Sequence, residues 1–306
     1  MPMAGTPPVR VMYRQGGTAA RRPDPKAGPA ATDMGPTPQN RFRFGENWAD
    51  FSAVIDADRI AAAERSLGVL LARDSLAGLT FLDAGCGSGL FSLAALNLGA
   101  KSVTAVDIDE GCVRTTRDLL RRGAKSADWK ALRLSVFDLD PAVHGRFDIV
   151  YSWGVLHHTG DLRGALLKVA AMADDAGSVA LALYRKTFLC RAWRMEKRLY
   201  SSSPAFLQRI VRALYKAVFV LGKLARGENP IAHIRNYRSR RGMSWAHDVH
   251  DWLGGFPYES IGPDDMAAWA AQAGYEIVAS NLRPAGWGLM GTGCDEYVLR
   301  RRRPAA

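Results

Sequence analysis

A glycine-rich segment that contains an acid near its start is the strongest chemical signal in the sequence. Residues 81–89 read Phe-Leu-Asp-Ala-Gly-Cys-Gly-Ser-Gly, where an apolar run changes to a helical pattern. Glycines at every second position let the backbone turn sharply and approach a ligand without interference from a Cβ atom. The segment differs from the dinucleotide fingerprint G-x-G-x-x-G, because Leu90 stands at the position of the third glycine. A ligand with an amino-acid tail and no phosphates needs an acid here, and Asp83 supplies one.

Two further acids follow the next two apolar runs. Asp107 is placed to accept hydrogen bonds from both hydroxyls of a ribose. Asp138 could bond an adenine amino group, with Phe137 or Ile108 against the ring. A helix cap would explain one such acid, but three acids in this order favour a nucleoside ligand at the carboxyl ends of parallel strands.

These residues must be positioned by an alternation of strands and helices. We expect strands at 79–84, 103–107, 131–137, 147–153, 178–184, 275–280 and 296–299, and helices within 46–72 and at 90–98, 110–122, 162–172 and 263–273. Short apolar strands alternating with helices predict a parallel sheet covered on both faces, a doubly wound α/β fold.

The alternation stops near residue 185 and resumes near Gly262, which divides the chain into parts. We expect a disordered Pro-rich leader at 1–40, N-terminal helices forming a cap at 41–78, a ligand-binding core at 79–184, a basic helical insertion closing over the acceptor at 185–261, and the rest of the core sheet with a basic tail at 262–306. The leader carries eight prolines and almost no aliphatic periodicity.

This constellation resembles the class I S-adenosylmethionine-dependent methyltransferases over about residues 79–184 and 262–300. The resemblance implies a seven-stranded Rossmann-like sheet of order 3-2-1-4-5-7-6 with an antiparallel seventh strand. It also implies that Asp83, Gly85 and Gly87 line the methionine part of the cofactor, Asp107 the ribose, and Phe137 with Asp138 the adenine. The full set of expected cofactor-binding residues is Asp83, Gly85, Cys86, Gly87, Gly89, Asp107, Ile108, Phe137, Asp138 and Trp153.

Two other segments extend the resemblance. Residues 151–158 look like the segment of the ubiquinone-pathway and related small-molecule members whose backbone borders the transferring methyl group. Within the insertion, residues 241–245 and 251–259 resemble a bacterial subgroup that is largely without assigned function. These likenesses imply a small-molecule acceptor.

Candidate bases for the acceptor come from two clusters. His157 and His158 follow the fourth predicted strand, and histidine titrates near neutral pH. His247 and Asp251, four residues apart, would share a helical face, with Asp251 orienting His247 over the acceptor. Tyr258 and Glu259 would line the same pocket. Packing, helix capping or metal binding are the alternatives for these residues, although two such ligands are too few to specify a metal, and we expect none.

Charge is concentrated in the insertion. Residues 185–241 carry fifteen Lys and Arg against two Glu, a net charge of +13, while the whole chain has +11. Within 206–224, Arg209, Arg212, Lys216 and Lys223 form one stripe of a helix, opposite Leu207, Ile210, Val211, Leu214, Val218 and Leu221. Such a helix could pack on the core with its basic face solvated, lie in an anionic membrane interface, or bind RNA or another polyanion.

Composition excludes fibrous and wholly disordered proteins. Of 306 residues, 48% are hydrophobic and 23% charged, which is typical of a globular chain. The four cysteines are far apart, so neither a disulfide framework nor a zinc ribbon is indicated, and a reducing cytoplasm is expected.

We therefore predict a methyltransferase acting on a lipophilic or aromatic hydroxyl, with peripheral contact to the inner membrane surface as an option. An RNA methyltransferase is the alternative; a non-enzymatic scaffold is disfavoured by the intact motif.

Overall fold

The structure is a computed structural model that describes residues 44–52, 54–124, 128–241, 244–284, 286–289 and 291–302. The predicted leader at 1–40 and the end of the basic tail therefore lie outside the described residues.

Seven strands and eleven helices make up the described chain. The strands are β1 (Thr80–Ala84), β2 (Ser102–Asp107), β3 (Trp129–Arg133), β4 (Phe147–Trp153), β5 (Ala173–Tyr184), β6 (Tyr275–Asn281) and β7 (Cys294–Arg301). The helices are α1 (Phe44–Ser52), α2 (Ala57–Leu71), α3 (Leu90–Asn97), α4 (Glu110–Gly123), α5 (Pro141–His144), α6 (Leu162–Ala171), α7 (Cys190–Ser201), α8 (Ala205–Ala225), α9 (Pro230–Arg241), α10 (Trp245–Gly254) and α11 (Pro263–Gln272).

The strands form one mixed sheet of order β3-β2-β1-β4-β5-β7-β6. Strands β1 to β5 pair in parallel, and β7 is antiparallel to both β5 and β6. The predicted fold class and strand order are confirmed. Because β1 lies between β2 and β4, its carboxyl end stands at the centre of the sheet edge where ligands of such folds bind.

The third strand differs from its prediction. We expected it at 131–137, but β3 ends at Arg133 and residues Val136–Asp138 form a 3₁₀ turn. The hydroxyl of Ser135 accepts the Phe137 N–H at 3.3 Å, which caps that turn. A side chain that competes for backbone donors in this way ends a strand pattern locally. The last strand also runs further than 296–299, through Arg301.

Two hydrophobic layers cover the sheet. On one face, α6 and α11 bury residues such as Leu166 and Trp269 against β4 and β5. A second cluster joins α1, α2 and α3 to the sheet through residues such as Phe51, Leu67 and Leu93. The N-terminal helices thus belong to the same packed core as the central strands of the sheet.

The insertion is a separate helical layer. A small core of Tyr200, Val249 and Leu253 joins α7 to α10, and the partly buried Val211 and Tyr215 of α8 pack against it. Its helices contact each other and α1, while α9 lies against α2. The insertion is therefore anchored through the N-terminal helices and leaves a space above the sheet edge.

Helix α8 is oriented differently from a lid helix packed on the core. None of its side chains is buried, and the apolar stripe, including Ile210, Leu214 and Leu221, is exposed. The guanidinium of Arg212 instead donates to the Tyr200 hydroxyl at 3.0 Å, inside the insertion. Within the described residues, no helix is long and apolar enough to cross a membrane.

Candidate functional site

The glycine-rich loop connects β1 to α3 with a left-handed backbone. Gly85, Gly87 and Gly89 have φ values of 90°, 53° and 80°, a region that favours glycine. A Cβ atom on Gly85 would collide with Val155, and one on Gly87 would lie 3.2 Å from the ring of Trp48. The loop can therefore run this close to its neighbours only without side chains at these positions.

Two backbone donors hold the Asp107 carboxylate against this loop. The Gly87 N–H donates to its Oδ2 at 3.1 Å and the Asp109 N–H to its Oδ1 at 2.9 Å. Burial nevertheless raises the pKa of Asp107 above its usual range, although both hydrogen bonds act in the opposite direction. The end of β2 is thus tied to the loop after β1 through one acid.

Asp83, near the end of β1, is almost fully buried. It is 3% exposed, and its Oδ2 accepts the Ser92 hydroxyl at 2.6 Å. Burial raises the pKa of Asp83 to about 7, and repulsion from Asp107 acts in the same direction. A cation bound near both acids would stabilise their charged forms.

A cavity of about 630 Å³ lies at the carboxyl ends of β1, β2 and β4. From the core it is lined by Asp83, Gly85, Cys86, Gly87, Asp107, Ile108, Phe137, Tyr151, Trp153, Val155 and His158, among others. From the insertion it is lined by Tyr215, Phe219, His233, Tyr237, Trp245, Asp248, Val249, Asp251 and Trp252. One cavity therefore joins the glycine-rich loop to an aromatic surface on α8, α9 and α10.

The cavity is electronegative. Five aspartates line it: Asp83, Asp107, Asp109, Asp248 and Asp251. Among the described residues of its lining, Arg283 is the one lysine or arginine. Such a lining favours a ligand that carries positive charge and disfavours phosphate groups inside the cavity.

Trp252 is fixed in the aromatic surface by a buried cation. The Lys197 ammonium lies 3.6 Å from the centre of the Trp252 ring, and it also donates to the Trp252 carbonyl oxygen. Burial lowers the pKa of Lys197 below its usual range, and the neighbouring Glu196 acts in the opposite direction. The combination of ring and carbonyl contacts holds α7 to the end of α10 and orients this wall of the cavity.

His158 is the histidine after β4 that reaches the cavity. Its Nδ1 lies 2.7 Å from the Pro257 carbonyl oxygen. Because a carbonyl oxygen only accepts, Nδ1 carries the proton and Nε2 is the basic nitrogen of the neutral ring. The ring packs closely on Gly255, where a Cβ atom would collide with it.

The neighbouring His157 has a different environment. It is fully buried, stacks on Tyr184 with ring centres 3.7 Å apart, and its Nδ1 accepts the Tyr184 N–H at 3.2 Å. Burial holds the pKa of His157 well below its usual range. It does not line the cavity, so the geometry does not support His157 as a base.

Of the two predicted residues on α10, one lines the cavity and the other does not. Asp251 lines the cavity, whereas His247 does not and packs edge-on against Phe51 at 5.8 Å. The expected pairing of Asp251 with His247 over the acceptor is therefore not supported. The described residues contain no group of three or more His, Cys, Asp or Glu side chains placed to hold a metal ion.

Four other predicted residues are not among those that line the cavity. Gly89 begins α3, and a Cβ atom there would lie 2.9 Å from Thr116. Asp138 is exposed in the 3₁₀ turn. Tyr258 is buried and donates to the Cys190 thiol at 3.4 Å, and Glu259 accepts the Leu162 N–H at 2.9 Å, at the start of α6. The predicted roles of these four residues at the site therefore stay predictions.

Sequence reasoning missed several lining residues, among them Trp48, Asp109 and Tyr184. Tyr184 is the last residue of β5. Ligands of such sheets bind at the carboxyl ends of the strands, and this rule, which identified Asp107, could also have identified Tyr184. Asp109 accepts the Gly45 N–H at 3.0 Å and so joins α4 to α1. Trp48 carried no such signal, because its position on an amphipathic helix indicated only packing.

The strand order, the glycine-rich loop after β1 and the acid after β2 together define a class I S-adenosylmethionine-dependent methyltransferase. The chain belongs to the methyltransferase-domain family, whose model matches residues 55–280.

Similar proteins fall into several groups. The chain is 36% identical over 104 residues to a ribosomal protein L11 methyltransferase of Neisseria gonorrhoeae, covering 34% of this chain and 32% of that protein. It is 32% identical over 121 residues to a ubiquinone biosynthesis O-methyltransferase of Xanthomonas campestris pv. campestris, covering 40% and 49%. It spans about a third of the length of the first of these curated relatives.

A solved structure supports the fold. The magnesium protoporphyrin IX methyltransferase of Synechocystis PCC 6803, with bound S-adenosylhomocysteine, aligns with a TM-score of 0.50 and 17% identity, over 84% of this chain and 93% of that one. At this identity the likeness concerns the fold.

The residues present fit the cofactor of this class. S-adenosylmethionine carries a sulfonium and an ammonium group, and the buried Asp83 and half-buried Asp107 border the cavity without a lysine or arginine among the loop residues that line it. The raised pKa of Asp83 is the expected condition of an acid whose cationic partner is a ligand.

Replacing Asp107 by alanine should weaken cofactor binding at least about tenfold, because a charged acceptor contributes about 1.5–3 kcal/mol. Since Asp107 also accepts two backbone N–H groups, the variant should melt at a lower temperature as well. Calorimetric titration with S-adenosylmethionine measures the first effect. Asp138→Ala is the matched control, because this exposed acid also follows a strand but does not line the cavity. An unchanged dissociation constant for Asp107→Ala contradicts the assignment.

Proposed function

We propose that the protein transfers a methyl group from S-adenosylmethionine to an aromatic, lipophilic small molecule that carries a hydroxyl group. The observation that supports this most is the single cavity shared by the glycine-rich loop and the aromatic rings of the insertion. Aromatic side chains such as Tyr215, Phe219 and Trp245 offer flat apolar surfaces, which suit a planar acceptor.

The core side of the cavity would hold the cofactor. Asp83 and Asp107 would bind its polar groups, and Phe137 with Ile108 would contact the adenine. When bound, S-adenosylmethionine supplies an electrophilic methyl carbon for in-line displacement. The chain's own contribution is to align the acceptor oxygen and exclude water, and α1 with the insertion would act as the cap over both ligands.

His158 would remove the proton of the acceptor hydroxyl. Its Nε2 is the basic nitrogen, and the Pro257 carbonyl oxygen both orients the ring and stabilises the imidazolium that forms. The proton then leaves His158 to solvent after the product departs. Asp251, which also lines the cavity, would hold polar groups of the acceptor.

An RNA acceptor has less support. Two of the cations expected to contact phosphates have partners within the insertion, since Arg212 donates to Tyr200 and lies 2.9 Å from His250 Nδ1, and Lys223 pairs with Glu228. The five aspartates of the cavity also disfavour a phosphate near the reacting group. The match to an L11 methyltransferase covers a third of the chain and carries no argument about the acceptor.

The proposal is tested with S-adenosylmethionine labelled in its methyl group. The protein is incubated with an extract of its host, and the label is followed into the organic phase, into protein and into nuclease-sensitive material. We expect the label in the organic phase, and less of it with the Asp107→Ala variant as the control. Label in nuclease-sensitive material or in protein would overturn the acceptor class while leaving the methyl transfer intact.

A further inference from the structure

The outer face of α8 is an exposed apolar surface that the proposed reaction does not use. Its members are 39–65% exposed: Phe206, Leu207, Ile210, Leu214, Val218, Leu221 and Leu224. They recur at helical spacing along a helix of 21 residues, about 31 Å long. A continuous apolar face of this length on a chain surface marks a binding surface rather than scattered exposure.

The contacts on the other two faces of α8 explain why its apolar face is turned outward. Tyr215 and Phe219 face the cavity, and Val211 packs with the insertion core. On the remaining edge, Arg212 bonds within the insertion and the Lys216 ammonium lies 5.5 Å from the centre of the Trp245 ring. Because cavity and cationic contacts occupy those faces, the apolar face is the one left outside.

We propose that this face of α8 docks the protein on an anionic lipid surface. Apolar side chains on one face with basic residues at its edge are the pattern of a helix that lies in the membrane interface. Arg209 is exposed at that edge and Arg226 at the end of the helix. The surrounding segment 185–241 has a net charge of +13, which complements acidic headgroups.

A second copy of this chain fits the face less well. An interface formed by two α8 faces would bring two segments of net charge +13 together, and like charges oppose such a contact. The lipid surface has the complementary charge. Docking in this orientation would place α8 between the bilayer and the cavity, so that an acceptor dissolved in the membrane has a short path to the aromatic surface. The docking itself does not depend on the proposed function.

The test is co-sedimentation of the full chain with vesicles of phosphatidylcholine, alone or mixed with phosphatidylglycerol. The wild-type chain should bind the mixed vesicles, and added salt should weaken the binding. The double variant Leu214→Glu with Leu221→Glu should bind them about tenfold or more weakly, because two exposed apolar contacts become charged. The matched control is Val143→Glu with Leu167→Glu, at exposed apolar positions of α5 and α6, and it should bind like the wild type.

Two further measurements decide between outcomes. Calorimetry with S-adenosylmethionine verifies that both double variants are folded, and light scattering without lipid gives the oligomeric state. Absence of wild-type binding to the mixed vesicles, or equal binding of the α8 variant, overturns the proposal. A wild-type dimer that the α8 variant converts to a monomer overturns it in favour of a second copy. Lipid binding lost only in the α8 variant supports it, whatever the acceptor proves to be.

Discussion

His158→Gln should lower kcat by roughly 100- to 10,000-fold, the usual effect of removing a general base. Glutamine can keep a donor toward the Pro257 carbonyl oxygen, which His158 Nδ1 contacts at 2.7 Å, but it has no basic nitrogen. The affinity for S-adenosylmethionine should stay within about twofold, since the ring does not belong to the loop that would hold the cofactor. The measurement is the rate of label transfer into the acceptor fraction, together with calorimetric titration of the cofactor.

The adjacent histidine provides the comparison. His157→Gln should act mainly on stability, because it removes from a buried position a stacked ring whose Nδ1 accepts the Tyr184 N–H at 3.2 Å. We expect a loss of about 1–3 kcal/mol in the free energy of unfolding and a change in kcat below about tenfold. If His157→Gln rather than His158→Gln abolished transfer in a folded protein, the assignment of the base would be wrong.

The pair also shows what the sequence could not settle. Both histidines follow β4 and are equal candidates by type and position. Their separation depends on Pro257 and Tyr184, which lie 99 and 27 residues away along the chain. Contacts between residues so far apart in the sequence come from tertiary packing. The sequence therefore predicts a base near the end of this strand but does not predict which histidine acts as the base.

The part of the site that would hold the cofactor could be predicted from the sequence, because it depends on the fold class and not on contacts between distant residues. Gly85, Gly87 and Asp107 lie at the ends of neighbouring strands, and the order of those strands follows from the fold class. The part that would hold the acceptor could not be predicted from the sequence, because it depends on which face of α8 is turned toward the cavity. Its amphipathic pattern is the same whether the apolar face packs inward or outward, and only the contacts of Arg212 and Tyr215 decide.

Asp83→Asn should have opposite effects on cofactor affinity and on stability. The native pKa of Asp83 is about 7, against an ordinary value of 3.8. Between these values the native state holds a proton that the unfolded chain has lost, so this carboxyl makes the free energy of unfolding decrease as pH rises through that window. Above about pH 7 the buried charge costs roughly 1–4 kcal/mol in the free protein, at about 1.4 kcal/mol per pKa unit.

Asparagine removes that cost, because it is neutral, similar in shape and able to accept the Ser92 hydroxyl. Without ligand, the variant should therefore melt at a higher temperature than the wild type at about pH 8, and this difference should become smaller at about pH 5, where ionisation of the carboxyl stabilises the unfolded chain less. Its affinity for S-adenosylmethionine should fall roughly 10- to 100-fold at about pH 8, because a cationic ligand loses a charged acceptor. Wild-type affinity should weaken as pH falls through about 7, while that of the variant should change little.

Thermal unfolding and calorimetry at the two pH values check both effects, with Asp138→Asn as the control, because this exposed acid is outside the cavity lining. A variant that is less stable at about pH 8, or one that binds the cofactor as tightly as the wild type, would show that Asp83 is a structural acid. The expected opposition has a physical basis: a carboxylate kept buried without a cation destabilises the free protein by the same interaction that a cationic ligand relieves. The charge of the Asp83 carboxylate therefore lowers the stability of the free protein and raises its affinity for S-adenosylmethionine.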